Sequence, residues 1–218
     1  MNVHSFDEND KRIILDESKN HQVMMEWEKE YMEKCIEKLN PFGDVLEVGF
    51  GLGYSATSIQ NFPIKSYTII EHDKLTCERI FEWSKRYNHK INIIEDKWEN
   101  VCNSLQKFDT IFFDDYDANY IKLTDENLST PCRNAHFIRE MKNNLKDHVR
   151  YSFYCALYED ELTPYKGHWE NEDIISNYKI NFKSEEFKAV DVPDNCRYIG
   201  TKKLYCPVIN MKKTMFYS

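Results

Sequence analysis

The chain has 218 residues, of which 41% are hydrophobic and 14% aromatic, and a formal net charge of −8. That length fits one α/β domain with a full hydrophobic core. The acidic balance argues against a broad phosphate-binding surface and so against a nucleic-acid partner. No run approaches the ~18 apolar residues of a membrane helix.

Seven cysteines, an odd number without any C-x-x-C pair, read as free thiols in a reducing, cytoplasmic compartment, each more a small buried hydrophobe than a nucleophile. The seven histidines have no metal-ligand spacing, so no metal site is assigned. The N-terminus shows no apolar signal region. Without one, the Asn127-Leu128-Ser129 sequon carries no weight.

In chain order, residues 1–22 are mostly polar and read as an arm or lid, with an apolar island at Ile13-Ile14-Leu15. Val23, Met24, Trp27, Tyr31, Cys35, Ile36 and Leu39 fall near one face of a helix predicted over Val23–Leu39, which Pro41-Phe42-Gly43 ends. Strands are predicted at Val45–Val48, Tyr67–Ile70, Ile91–Ile94, Thr110–Phe113 and Tyr151–Cys155. Helical patterns lie between them, at Leu52–Phe62, Lys74–Tyr87 and Arg133–Leu145. Strands alternating with helices imply a Rossmann-like, doubly wound α/β fold whose mostly parallel sheet is covered on both faces. Beyond Leu157 the pattern is weaker: a short helix at Glu172–Tyr178 and strands at Phe187–Val192 and Tyr198–Tyr205. With no repeat or linker, a single domain is expected over 1–218.

The most informative stretch is Leu46-Glu47-Val48-Gly49-Phe50-Gly51-Leu52-Gly53. A strand opening through glycines into a helix is a nucleotide-cofactor loop, because glycines let backbone approach the ligand. Twenty-four positions after Glu47, Glu71 closes the second strand, where a carboxylate accepts hydrogen bonds from both ribose hydroxyls. The G-x-G-x-G spacing lacks the third glycine position of the dinucleotide fingerprint. Glu47 repels phosphates and suits a sulfonium and its amino group, so S-adenosylmethionine is favoured over NAD.

In a doubly wound sheet ligands sit at the carboxyl ends of the strands, which gathers Glu47 and Gly49, Gly51 and Gly53 with Glu71, Asp96-Lys97-Trp98 and Asp114-Asp115. Asp96 is a candidate acceptor for an adenine amino group, with Lys97 or Trp98 beside it. A solvated loop acid at Asp96 and a core tryptophan at Trp98 are the alternatives.

Val23-Met24-Met25-Glu26-Trp27-Glu28, Leu46 to Gly51, Ile69-Ile70-Glu71, Trp98-Glu99-Asn100-Val101 and Cys196-Arg197-Tyr198 follow one another as in guanidinoacetate N-methyltransferases. Fungal arginine δ-N-methyltransferases share much of the pattern. The resemblance covers Val23 to Cys155 and returns at Pro193 to Tyr198. It implies the seven-stranded sheet of class I methyltransferases and S-adenosylmethionine as cofactor, with S-adenosylhomocysteine as product. The implied substrate is a small guanidino compound, with guanidinoacetate first and a protein arginine side chain second.

By resemblance Glu28 grips the guanidinium, Asp114 is the catalytic base, Glu71 holds the ribose and Met24 lies beside the cofactor. Cys155 and Leu157 belong to a stretch whose carbonyls line the guanidino pocket. Departures from the family pattern are Asp115, where a small polar residue is usual, and Asp147-His148-Val149-Arg150 in place of a Pro-Gly-Gly turn. Tyr158 to Lys188 does not match. Without the resemblance, Glu28 reads as an exposed helix acid and Asp114 as a cap. A further alternative is a cofactor-binding regulator without activity.

Overall fold

The computed structural model describes residues 2–16, 21–115, 133–157, 166, 169, 175–188, 192–200 and 202–214. The sequon at Asn127, Cys132 and much of the unmatched stretch after Tyr158 lie outside them. Three antiparallel strands come first, β1 (Asn2–Phe6), β2 (Arg12–Asp16) and β3 (His21–Met25), paired in that order. A 3-10 turn, Glu26–Glu28, leads into α1 (Lys29–Leu39).

Then follow β4 (Gly43–Val48), α2 (Tyr54–Ile59), β5 (Ile64–Glu71), α3 (Lys74–Ser84), β6 (Ile91–Glu95), α4 (Trp98–Val101) and β7 (Phe108–Phe113). The chain continues through α5 (Arg133–Glu140), β8 (Leu145–Phe153), β9 (Cys155–Leu157), β10 (Tyr178–Phe187) and β11 (Lys203–Lys213).

The main sheet runs in the order β10-β11-β8-β7-β4-β5-β6, with the short β9 also paired to β11. Pairs from β8 across to β6 are parallel, and β11 is antiparallel to both β8 and β10. This is the expected doubly wound, mostly parallel sheet. Its central strands are apolar runs because both faces are covered. Along β4 the side chains alternate: Leu46 and Val48 join the core under α4 and α5, whereas Val45 joins the core under α1, α2 and α3.

Helix α1 buries Tyr31, Met32, Cys35, Ile36 and Leu39 at helical spacing. It stops at Asn40, which takes the left-handed conformation (φ 48°) and returns its N–H to the Ile36 carbonyl at 2.9 Å. Helix α3 is capped by Asp73, whose carboxylate accepts the Thr76 N–H at 3.0 Å.

Several boundaries differ from the sequence reading. Val23–Met25 is strand, not helix; the apolar spacing that mimicked a helical face serves two elements in turn. The late helix at Glu172–Tyr178 is replaced at its described end by β10, which starts at Tyr178. Of the strand expected at Phe187–Val192, Phe187 ends β10 and residues 189–191 lie outside the described residues; that at Tyr198–Tyr205 gives way to a turn before β11. The six described cysteines are free thiols, five of them buried. No described helix is long and apolar enough to cross a membrane.

Candidate active site

The carboxyl ends of β4, β5, β6 and β7 floor a cavity roofed by the N-terminal sheet. Val48, Gly49, Gly51, Glu71, Asp96, Lys97, Trp98, Asp114 and Asp115 line it from below, and Asn2, Ile14, Asp16, Val23 and Met24 from above. The roof is pinned to α3 by the Asn2 N–H on the Asp73 carboxylate (3.1 Å) and by His4 against the Thr76 hydroxyl (3.3 Å). It is tied to the late loop through Gln22, which donates to the Asn195 carbonyl (2.8 Å) and accepts the Arg197 N–H (2.7 Å). The expected arm is thus a sheet over the site. Arg197 is exposed, and its side chain has no carboxylate partner among the described residues.

The glycine loop fits its expected use. Gly49 (φ 82°) packs so closely that a Cβ would run into the Asp114 carbonyl, and at Gly51 (φ 54°) a Cβ would meet the Met24 sulfur. Met24 is buried over this loop and accepts the Leu52 N–H on its sulfur at 3.2 Å. Gly53 does not line the cavity; it starts α2.

Glu71 sits at the end of β5. One oxygen accepts the N–H groups of His72 (2.8 Å) and Asp73 (2.9 Å), and the other that of Phe50 (3.1 Å). Burial raises its pKa, and these bonds oppose the rise. Asp96 accepts from the Lys97 N–H and the Asn100 amide, both at 2.7 Å, which lowers its pKa. The Trp98 indole lines the cavity and packs edge-on to Phe137 (5.1 Å between centroids) within the core. Its N–H donates to Asp115 at 2.7 Å, and Asp115 is also bound by the Arg133 guanidinium. The added acid is therefore held by a cation and an indole.

Glu47 does not reach the cavity. It lies on the Val45 face of β4, fully buried, and accepts hydrogen bonds from the Ser55 and Tyr67 hydroxyls. Burial drives its pKa well up. Its place is in the packing of α2 on the sheet, not against a ligand.

Of the pair Glu28 and Asp114, only Asp114 lines the cavity. Glu28 closes the 3-10 turn before α1 and is 2% exposed. Its Oε1 accepts the Met25 N–H at 2.9 Å and the Tyr198 hydroxyl. Burial pushes its pKa up to about 8; the bond from Tyr198 opposes this and the charge of Asp114 adds to it. Asp114 follows β7, lines the cavity and is otherwise enclosed. Burial, then the charges of Asp115 and Glu71, push it up to about 7. Cys155 and Leu157 do not line the cavity; they pair with Tyr205 and Lys203 in the β9–β11 ladder. Tyr31 anchors that ladder, accepting the Cys155 N–H at 2.9 Å and donating to the Tyr205 carbonyl at 2.8 Å. Gln22 and Tyr31 were given no role by the sequence, nor was Tyr198 beyond its motif; no local pattern marks partners so distant in the chain.

A family model described as guanidinoacetate N-methyltransferase matches residues 3–212. The chain belongs to that family. Protein arginine N-methyltransferase 2 of Candida glabrata is 32% identical over 124 residues, 51% of this chain and 30% of that protein. Its counterpart in Yarrowia lipolytica is 26% identical over 132 residues, 56% and 27% respectively. The chain thus matches less than a third of the length of these relatives.

A solved structure of M. jannaschii TYW2 in complex with AdoMet superposes with a TM-score of 0.60 at 14% identity, covering 98% of this chain and 87% of that one. A methyltransferase from Pyrococcus furiosus gives 0.55 at 17% identity, covering 85% and 83%. At such identities these likenesses establish the fold, that of class I methyltransferases.

The cofactor is S-adenosylmethionine. The cavity suits it: backbone glycines stand where bulk would intrude, and acids outnumber the lysine and arginine in the lining. Glu71 closes β5, the second strand of the parallel sheet, the position of the ribose acid in doubly wound sheets.

Proposed function

We propose that the chain methylates a nitrogen of a guanidino group, with guanidinoacetate, giving creatine, as first substrate. The observation that carries this is the pair Glu28 and Asp114. Both are enclosed carboxylates, each feels other carboxylate charge, and among the described residues no lysine or arginine acts on either to restore its acidity. Buried acids in that condition call for a cationic ligand.

A guanidinium is protonated at neutral pH, so it has no free lone pair with which to attack. Bound S-adenosylmethionine supplies an electrophilic methyl on a sulfonium. Glu28 holds the planar fork with charge-assisted hydrogen bonds, and together the two acids offset the repulsion between two cations. Asp114 takes the proton from the attacking nitrogen as the N–C bond forms and the C–S bond breaks, leaving S-adenosylhomocysteine. Positioning and electrostatics carry such a transfer.

A second reading, a protein-bound arginine as substrate, is favoured by the similarity to the two fungal protein arginine N-methyltransferases. A product assay over guanidinoacetate, other guanidino compounds and arginine peptides, read by mass spectrometry, separates the two. Methylated guanidinoacetate supports the first and methylated peptide the second; no methylation of any member removes both.

A further inference from the structure

One group at this end of the site has no part in the scheme above: the phenol of Tyr154. Phe113 and Phe153 are partners across the parallel pair β7–β8, and Asp114 and Tyr154 are the residues that follow them. Tyr154 donates its N–H to the Phe113 carbonyl at 3.2 Å, so it stands one strand over from Asp114 at the same level of the sheet. Its ring meets Tyr31 edge-on, centroids 5.4 Å apart. Its hydroxyl oxygen is buried and has no hydrogen-bond partner among the described residues.

Burial first, and then the charges of Glu28 and Asp114, raise its pKa well above the usual phenol value. The group therefore stays a neutral phenol, close to both acids. The other phenol nearby, Tyr198, is already engaged with Glu28.

An enclosed hydroxyl without a partner costs stability, and a phenylalanine would fill the ring's place without that cost. The cost is accounted for if the partner is the substrate. A monosubstituted guanidinium has five N–H groups, and two bidentate carboxylates take four of them. The fifth lies on the edge beside the substituent and needs a neutral acceptor. We propose that the Tyr154 hydroxyl is that acceptor, a substrate contact that completes the cradle begun by Glu28 and Asp114. The inference rests on the guanidino reading above.

The test is Tyr154→Phe, with guanidinoacetate and an arginine peptide as probes of the S-adenosylhomocysteine complex. Calorimetry, thermal melting and steady-state rates are read on wild type and variant. The variant should melt at or above wild type when unliganded and bind S-adenosylhomocysteine within about 2-fold of it. Its affinity for whichever probe the wild type binds should fall about 10-fold, the lower end of the scale for a hydrogen bond to a charged group, with kcat/KM falling at least as far. Tyr154→Leu, which also loses the ring contact with Tyr31, should lower the unliganded melting temperature as well. Wild-type binding and turnover in Tyr154→Phe overturn the proposal and leave the guanidino reading intact. A variant that melts early or fails to fold also overturns it, because the hydroxyl would then serve the fold. If the wild type binds neither probe, the guanidino reading falls and this inference with it.

Discussion

The two ends of the site satisfy their carboxylates in opposite ways. At the cofactor end, Glu71 receives three backbone N–H groups, Asp96 receives two donors, and Asp115 is held by Arg133 and Trp98. At the end proposed to take the guanidino group, Glu28 has donors on one oxygen only and Asp114 is pushed up to about 7 with no offsetting cation, among the described residues. The first set is complete within the protein. The second has no offsetting cation among the described residues, the state expected if the proposed substrate is itself a cation.

Substitutions that separate the two ends should break along this line. The largest effect is expected at Asp114→Asn, which keeps the shape and removes the proton acceptor. Methyl transfer should fall by at least ~10²-fold while S-adenosylhomocysteine affinity stays near wild type. Asp115→Asn, one position on, should act on cofactor binding through Trp98 and Arg133 and leave the chemical step far less affected. Single-turnover rates and calorimetry on both variants decide this. If Asp115→Asn abolishes turnover and Asp114→Asn does not, the base is misassigned by one position.

Next comes Glu28→Gln, which should weaken guanidino binding by about 10–100-fold, the scale of hydrogen bonds to a charged group. The guanidino KM reports it, and an unchanged KM places the cation elsewhere. Glu71→Ala should weaken S-adenosylhomocysteine by about 1–3 kcal/mol without altering guanidino affinity in the remaining complex. Calorimetry that finds the reverse pattern would dissolve the distinction between the ends. The smallest ligand effect is expected at Glu47→Gln. Cofactor affinity should stay within about 2-fold, while the melting temperature falls, because an amide accepts from only one of Ser55 and Tyr67 through its single oxygen. A loss of cofactor affinity without a change in melting temperature would return Glu47 to the site.

The cofactor end was legible in the sequence because its signals are local. Gly49, Gly51, Glu71, Asp96 and Asp114 each lie in a loop or at a strand end that the hydrophobic pattern locates. Glu47 was misplaced although the same pattern holds the answer: it shares the strand face of Val45, and that face looks toward α2. Glu28 and Tyr198 were reached only by resemblance, since they meet across the fold with no periodicity to join them.

Strand β10 was missed for a different reason. Only Phe182 is fully buried along Tyr178–Phe187, and Lys183 to Glu186 are all exposed, as befits an edge strand. Its alternation is too faint to compete with a helical reading of the residues before it.

The raised pKa values also give a pH signature. Groups raised by folding contribute stability below their unfolded pKa and lose it as pH rises through the folded value. Unliganded protein should therefore melt earlier as pH climbs from about 5 to about 8, and a bound guanidinium should reverse that trend. The most direct measurement is the proton balance of binding. Guanidinoacetate is titrated into the S-adenosylhomocysteine complex at pH 7, in buffers of differing ionisation enthalpy. Glu28 and Asp114, partly protonated before binding, must ionise to hold the cation, so release of about one proton per ligand is expected, most of it from Glu28 and much less from Glu28→Gln. Binding with no proton released, or with uptake, would contradict the claim that this pair of acids waits for a guanidinium.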